Sequence, residues 1–450
     1  MAAMLAPRRL SLACLVCTLL VACEGTDPVG PPAELVRLAG NNQVGTVGQS
    51  LPRPIQVRVV DSDGRGVGGV GVEFAVTEGG GSVAPLMATL AGGSTILLEP
   101  SVLVVTDGAG EAHVVWTLGP TAGVQALGIT VEGVESLDFS AVAQPGPPAA
   151  LDAAGGDGQL APPGAELPEP LLAQVTDEFG NCVPISGLTI AWEVSGGGGS
   201  LSTLESETDA AGQATTVLTV GSQIGFNTVT AAYGELTPFE FSTMALDLVQ
   251  LDAAEDTFSS GTSGDAVLPD ILAFGAAWDG DDLIIALRFG DRVAHAREGG
   301  PNAVAGLVEF DIDVDEGTGV VSQIDTHRPG PGSTGMGVDV IVDLFGDPDG
   351  SYVIFDSRQN TVGVTVPDIR GRLIAFGVPS SVVGSDDLRT AAIIGTIPEP
   401  TDFVPNDGSV LVGGAGGAPV RSVVVPAGNR LPALPYWGPV GTRAREGRRR

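Results

Sequence analysis

The stretch Glu309-Phe310-Asp311-Ile312-Asp313-Val314-Asp315-Glu316-Gly317-Thr318-Gly319 holds the densest chemistry in the chain. Phe310, Ile312 and Val314 alternate with Asp311, Asp313 and Asp315, a period of two that reads as a strand with one apolar face. On a continuing strand, carboxylates at that spacing stand on one face ~7 Å apart, from a rise near 3.4 Å per residue. Neighbouring anions repel, so the pattern calls for a cation or an arginine. For an exported chain the natural cation is calcium, which takes roughly six to eight oxygens. Asp311, Asp313 and Asp315 are therefore the expected metal ligands, and calcium is the one cofactor the sequence suggests. Asp339 and Asp343, on a neighbouring candidate strand, are placed to complete the set. An EF-hand is excluded, because Glu316 stands where that loop wants glycine and Ser322 where it wants a bidentate glutamate. The competing reading is a solvated acidic edge that keeps the sheet from pairing with neighbours.

Catalytic chemistry has less to build on. The three histidines are His113, His295 and His327, and none accompanies a nucleophile motif, a zinc-spaced pair or a phosphate loop. A haem would want an axial Met or His pair, and nothing in the sequence brings Met336 together with His295 or His327. Of the four cysteines, Cys182 lies in a turn-like stretch with no histidine near it and reads as a small apolar filler. No catalytic residue is assigned and no enzymatic activity is expected. Paired acids are so common here that a carbohydrate-active enzyme stays open as an alternative.

The N-terminus is more specific. Arg8 and Arg9 precede an apolar run from Leu10 that ends in Leu20-Val21-Ala22-Cys23. That is the plan of a secretory signal peptide, and the run falls short of the ~20 residues that span a bilayer. The ending resembles the lipobox of bacterial lipoproteins. The resemblance implies removal of residues 1–22, a lipid on Cys23, and a mature chain tethered by residues 23–32. Several acyl chains on one residue suffice for stable anchoring. Glu24 is not the aspartate that often retains such proteins in the inner membrane. The expected location is exported, at the bacterial outer membrane or cell surface.

Asp and Glu number 54 against 21 basic residues, all of them arginine, for a formal net charge of −33. Such a surface repels phosphate backbones, so nucleic acid is not an expected partner. With 66 glycines, 33 prolines and 43% apolar residues, the balance is that of a turn-rich folded chain. Cys14 and Cys17 leave with the signal peptide, so the mature chain has no intramolecular disulfide to lean on and its domains must hold by core packing.

An internal repeat decides the fold. Leu51-Pro52-Arg53-Pro54 recurs as Leu167-Pro168-Glu169-Pro170, and Phe74-Ala75-Val76 before Gly79-Gly80-Gly81-Ser82 recurs as Trp192-Glu193-Val194 before Gly197-Gly198-Gly199-Ser200. Thr106-Asp107-Gly108-Ala109-Gly110 recurs as Thr208-Asp209-Ala210-Ala211-Gly212, while the first copy carries an insertion near residues 84–100. Within each copy strands alternate with period two: Ala112, Val114, Trp116 and Leu118 face one way, as do Leu188, Ile190, Trp192 and Val194. Short strands separated by Asp/Gly turns fit sandwiches of two antiparallel sheets.

The order V-x-D-x-x-G, then an apolar strand into GGGS, then T-D-x-x-G, resembles the group 1 bacterial Ig-like domains of the invasin and intimin type. The resemblance covers residues 33–145 and 148–246 and implies rigid spacers, strung end to end, that present a terminal domain. Residues 247–412 do not repeat what precedes them. Their opening, with Trp278-Asp279-Gly280-Asp281-Asp282 turning into Leu283-Ile284-Ile285-Ala286-Leu287-Arg288-Phe289, resembles sandwich domains of the DOMON and family 9 carbohydrate-binding type. It implies a larger, jelly-roll-like sandwich that holds its ligand against one face. Residues 413–450 form a glycine-led, arginine-ending tail that reads as disordered.

The expected protein is all-β: two tandem Ig-like sandwiches, then a third and larger sandwich. Its expected role is adhesion or ligand binding at the envelope. Its partners are the membrane, through the lipid, and an unidentified protein or polysaccharide. A carbohydrate-binding or a purely structural envelope protein are the alternatives.

Overall fold

The computed structural model describes residues 28–86, 99–258, 268–300, 302–327, 333–406, 408–415 and 421–423, and they belong to two compact units, one ending at Gln144 and one beginning at Pro145. The signal peptide with Cys23, most of the insertion in the first repeat, and most of the C-terminal tail lie outside the described residues. The regular structure of the described chain is nearly all strand, with the short helices Gln323–His327 and Ser380–Val383 and a 3-10 turn at Ala296–Glu298. None of its helices is long and apolar enough to cross a membrane.

In the first unit one sheet runs Glu34–Ala39, Ile55–Val60, Glu111–Leu118, Gly81–Pro85. The other runs Gln43–Thr46, Leu137–Gln144, Gly123–Thr130, Gly71–Glu78, Ser101–Val105. All pairings are antiparallel except that of Gln43–Thr46 with Leu137–Gln144, which is parallel. The chain crosses between sheets at Gly40, whose φ is +96° and where a Cβ would meet Pro54 O at 2.5 Å. The alternating residues of Glu111–Leu118 fall as their period demands, with Ala112, Val114, Trp116 and Leu118 all buried in a core shared with Phe74, Leu127 and Phe139.

The second unit opens with the same plan. Ala150–Gly155, Leu171–Thr176 and Gln213–Thr216 form one sheet. Leu160–Ala161, Phe239–Ala245, Gly225–Ala232, Thr189–Gly196 and Glu205–Glu207 form the other, again with its first pair parallel. Side chains that tie the turns recur with the strands. Gln43 Nε2 donates to Gly40 O and Arg53 O, and Gln159 Nε2 to Gly156 O and Glu169 O. Asp107 accepts the N–H groups of Ala109 and Glu111, and Asp209 those of Ala211 and Gln213. Aspartate in these turns is structural: its carboxylate closes the loop while glycine supplies positive φ.

The C-terminal sandwich follows. Its smaller sheet orders Leu248–Leu251, Ile271–Asp279, Asp282–Phe289, Leu373–Pro379, Asp368–Arg370. The larger orders Thr361–Thr365, Tyr352–Asp356, Val340–Asp343, Ala303–Asp311, Leu388–Gly395, Ser409–Val412, Arg421–Val423, with Pro400–Val404 also on Leu388–Gly395. Ile285, Phe289, Val308, Phe310, Tyr352, Phe376 and Ile394 fill the space between them.

Both outer faces of this sandwich are also covered. Over the larger sheet, Ile324, Met336 and Val338 pack on Leu307, Ile341 and Ile393. Over the smaller, Leu160, Met244 and Leu246 of the preceding sandwich pack on Ala273, Ala277, Ala286, Leu373 and Ala375. Every residue of Ala303–Asp311 is consequently buried, where alternation foresaw one wet face. The strand also stops sooner than its pattern suggests, at Asp311, and Val314 turns away with φ +57°.

Candidate functional site

Asp311 ends the central strand of the larger sheet, on the face that residues 312–327 and 333–338 fold back to cover. Its side chain is 0% exposed. Oδ2 accepts a long bond from Gly337 N (3.4 Å) and lies 3.9 Å from Arg389 Nη1, which donates a hydrogen to Gly335 O at 2.7 Å. Oδ1 has no hydrogen-bond partner among the described residues. Burial pushes the Asp311 carboxyl up to about 6, with Asp313 and Asp339 adding to the rise against Gly337 N and Arg389.

One oxygen each of Asp311, Asp313 and Asp339 lie within 4.8 Å of one another. Asp313 is exposed and accepts from Asp315 N (3.0 Å) and the Thr318 hydroxyl (2.9 Å). Asp339 accepts from Ile312 N at 3.2 Å, and its own N–H donates to Phe310 O, which fixes it beside the end of the strand. Burial raises the Asp339 carboxyl, and Asp313 adds to it. Of the residues the spacing singles out, the structure thus brings Asp311 and Asp313 together and adds Asp339. Asp315 accepts from Gly317 N in the exposed loop and is not of the group. Asp343 pairs opposite Leu307, at the other end of its strand, and accepts from Phe345 N.

Glu309 points to the same covered face. It accepts from the Ser322 hydroxyl and Gln323 N, which anchors the short helix Gln323–His327, and burial pushes its carboxyl up to about 7. His295 and Met336 stay apart: the His295 ring stacks on Tyr352 at 5.2 Å, while Met336 lies in the cluster under the cover. His327 sits at the end of the short helix, a ring nitrogen 2.9 Å from Gln323 O.

A second acidic group escaped the sequence reading. Oxygens of Asp252, Asp256 and Asp402 lie within 4.8 Å of one another, and Asn406 Nδ2 donates to both Asp252 and Asp256. Asp402 is 1% exposed and accepts from Ile271 N (2.7 Å) and Phe403 N (2.8 Å). Burial pushes Asp402 up to about 8, helped by Asp252 and opposed by the Ile271 bond. Asp252 rises to about 7 through burial and then Asp256, and Asp270 is raised by burial as well. Asp402 and Asp252 thus hold protons more tightly than ordinary carboxyls do. Asp402 lies 150 residues from Asp252, so no local spacing could announce the group.

The junction between the second and C-terminal sandwiches gathers arginines. Arg370 lies over the Phe226 ring at 4.5 Å and Arg292 over Phe239 at 5.1 Å. Beside them, Asp152, Asp157, Asp291, Arg292, Asn302 and Arg372 line a cavity of about 430 Å³.

No family model matches the chain, and no curated protein does. Among solved structures it is similar to the D0–D1 domains of intimin, at 16% identity over 46% of this chain and 96% of that one, with a TM-score of 0.18. It is likewise similar to FdeC, an Escherichia coli adhesin, at 12% identity over 83% of this chain and 96% of that one, with a TM-score of 0.26. A β-glycosidase from Bacteroides vulgatus matches 47% of this chain but 24% of its own, at 12% identity and a TM-score of 0.22. The all-β assignment itself rests on the sheets and cores described above.

Proposed function

We propose that this chain is an exported envelope protein whose Ig-like sandwiches act as spacers and whose C-terminal sandwich is the binding head, engaging an extracellular ligand in adhesion. The observation that carries this reading is the apolar seam in which Leu160, Met244 and Leu246 meet Ala273, Ala277, Ala286 and Leu373. A seam of buried side chains fixes the head on its spacer, which suits presentation and leaves little room for a hinge. On the same reading the N-terminal cysteine, Cys23, carries the lipid that holds the chain on the membrane. A polar cavity of about 430 Å³, with arginine and asparagine donors beside aspartate acceptors, is of a size and character suited to a sugar, so the ligand class we favour is polysaccharide.

The test is a glycan and matrix-protein array probed with the full chain, in competition with antibody fragments. Fragments against residues 247–412 should block binding, and fragments against residues 33–145 should not. Blocking by the latter alone would overturn the assignment of head and spacer. For the anchor, Cys23→Ser should move the protein from the detergent phase to the aqueous phase, and a variant that stays with detergent removes the lipid from the reading.

A further inference from the structure

We infer that Asp311, Asp313 and Asp339 hold a calcium ion, which pins the covering segment of the C-terminal sandwich to the end of its central strand. The inference stands apart from the adhesive reading and does not depend on it. The acidic trio alone would not be enough, because exposed carboxylates gather on many surfaces without an ion. What sets this one apart is Asp311, fully buried, with Oδ1 lacking any hydrogen-bond partner among the described residues. A buried acceptor left without a donor is destabilising, more so if charged. The nearest cation does not answer it: Arg389 stands 3.9 Å from the other oxygen and donates instead to Gly335 O.

The donor set selects the ion. Each of the three residues offers only carboxylate oxygen, with no imidazole or thiolate among them, which favours a hard cation over zinc or copper. Oxygens bound to calcium lie at ~2.4 Å from it, so carboxylate oxygens within 4.8 Å of one another are close enough to share one ion.

The three ligands also come from separate places along the chain. Asp311 belongs to the strand, Asp313 to the loop leaving it, and Asp339 to the point where the covering segment rejoins the sheet. An ion shared by them would close the segment carrying Ile324 and Met336 over Leu307 and Ile393.

The experiment uses the full chain, stripped with chelator and dialysed against calcium chloride up to ~10 mM, since extracellular sites are often weak. Bound calcium is counted by elemental analysis, and thermal melting is followed in parallel. Asp313→Asn changes an exposed side chain and should fold. It should weaken one calcium equivalent by at least roughly tenfold, the scale on which even supporting groups act. Asp313→Asn combined with Asp339→Asn should abolish that equivalent and its share of the calcium-dependent rise in melting temperature. Asp315→Asn should bind as the parent does. The inference is overturned if the parent binds no calcium, if the double variant keeps the parent's stoichiometry and affinity, or if Asp252→Asn with Asp256→Asn removes all of the bound ion.

Discussion

Asp402 and Asp252 carry carboxyls raised to about 8 and about 7, and that shift has a sign in stability. Between the ordinary carboxylate range and these values the folded protein holds protons that the unfolded chain has already released. Folded-state proton excess means that stability falls as pH rises, by at most about 1.4 kcal/mol per pH unit for each group. Below pH 4 both states are protonated, and above pH 8 both are ionised, so the slope is confined to that window. Melting temperatures of the full chain in chelator should therefore decline from acid to mildly alkaline pH, and Asp402→Asn should make the decline shallower, with Asp252, Glu309 and Asp311 carrying the rest. The two buried tryptophans make a second contrast. Trp192 Nε1 donates to the Ser206 hydroxyl at 2.8 Å, whereas Trp116 Nε1 has no partner among the described residues. Replacement by Phe shrinks both side chains, but at Trp192 it also strands Ser206. Trp192→Phe should be the costlier change by ~1 kcal/mol in denaturant melts.

At the scale of elements, the Ig-like halves could be read from the sequence because their information is local. Asp107 and Asp209 fix turns with neighbours two and four residues on, and Trp116 and Trp192 sit on strict two-residue periods. The C-terminal sandwich was harder, because its strands are covered on both sides and the period-two rule assumes one wet face. The competing reading of Asp311 as part of a solvated edge rests on that assumption, and Asp311 is buried. The one available signal was the small apolar residues Ala273, Ala277, Ala286 and Ala375, which stand where an outward face would be polar. The group around Asp402 had no signal at all, since its partners meet only through the fold. The seam makes its own prediction. Leu246 is fully buried within it, so Leu246→Ala should cost ~2–5 kcal/mol. Leu246→Asp should go further and split the calorimetric transition of the second and C-terminal sandwiches into two, where the parent gives one.

Over the whole molecule, the net charge of −33 keeps copies apart and disfavours anionic partners. Against that background the arginines at the junction stand out, Arg292 and Arg370 being laid on the rings of Phe239 and Phe226. The terminal strands of both Ig-like sandwiches are arranged to resist a pulling load. The strand soon after each sandwich begins, Gln43–Thr46 or Leu160–Ala161, runs parallel to the strand with which it ends, Leu137–Gln144 or Phe239–Ala245. Pulling on the entry and exit of such a pair slides the two strands past each other, so the hydrogen bonds between them are strained together and must fail together. An antiparallel terminal pair would instead open from one end like a zip, bond by bond. Forced unfolding follows the height of that barrier and not the equilibrium stability. The first sandwich sets four residue pairs in this shear geometry, the second two. In single-molecule pulling of the full chain, the first sandwich should yield at a higher force than its shorter pairing gives the second, and a proline at the exposed Val44 should lower that force.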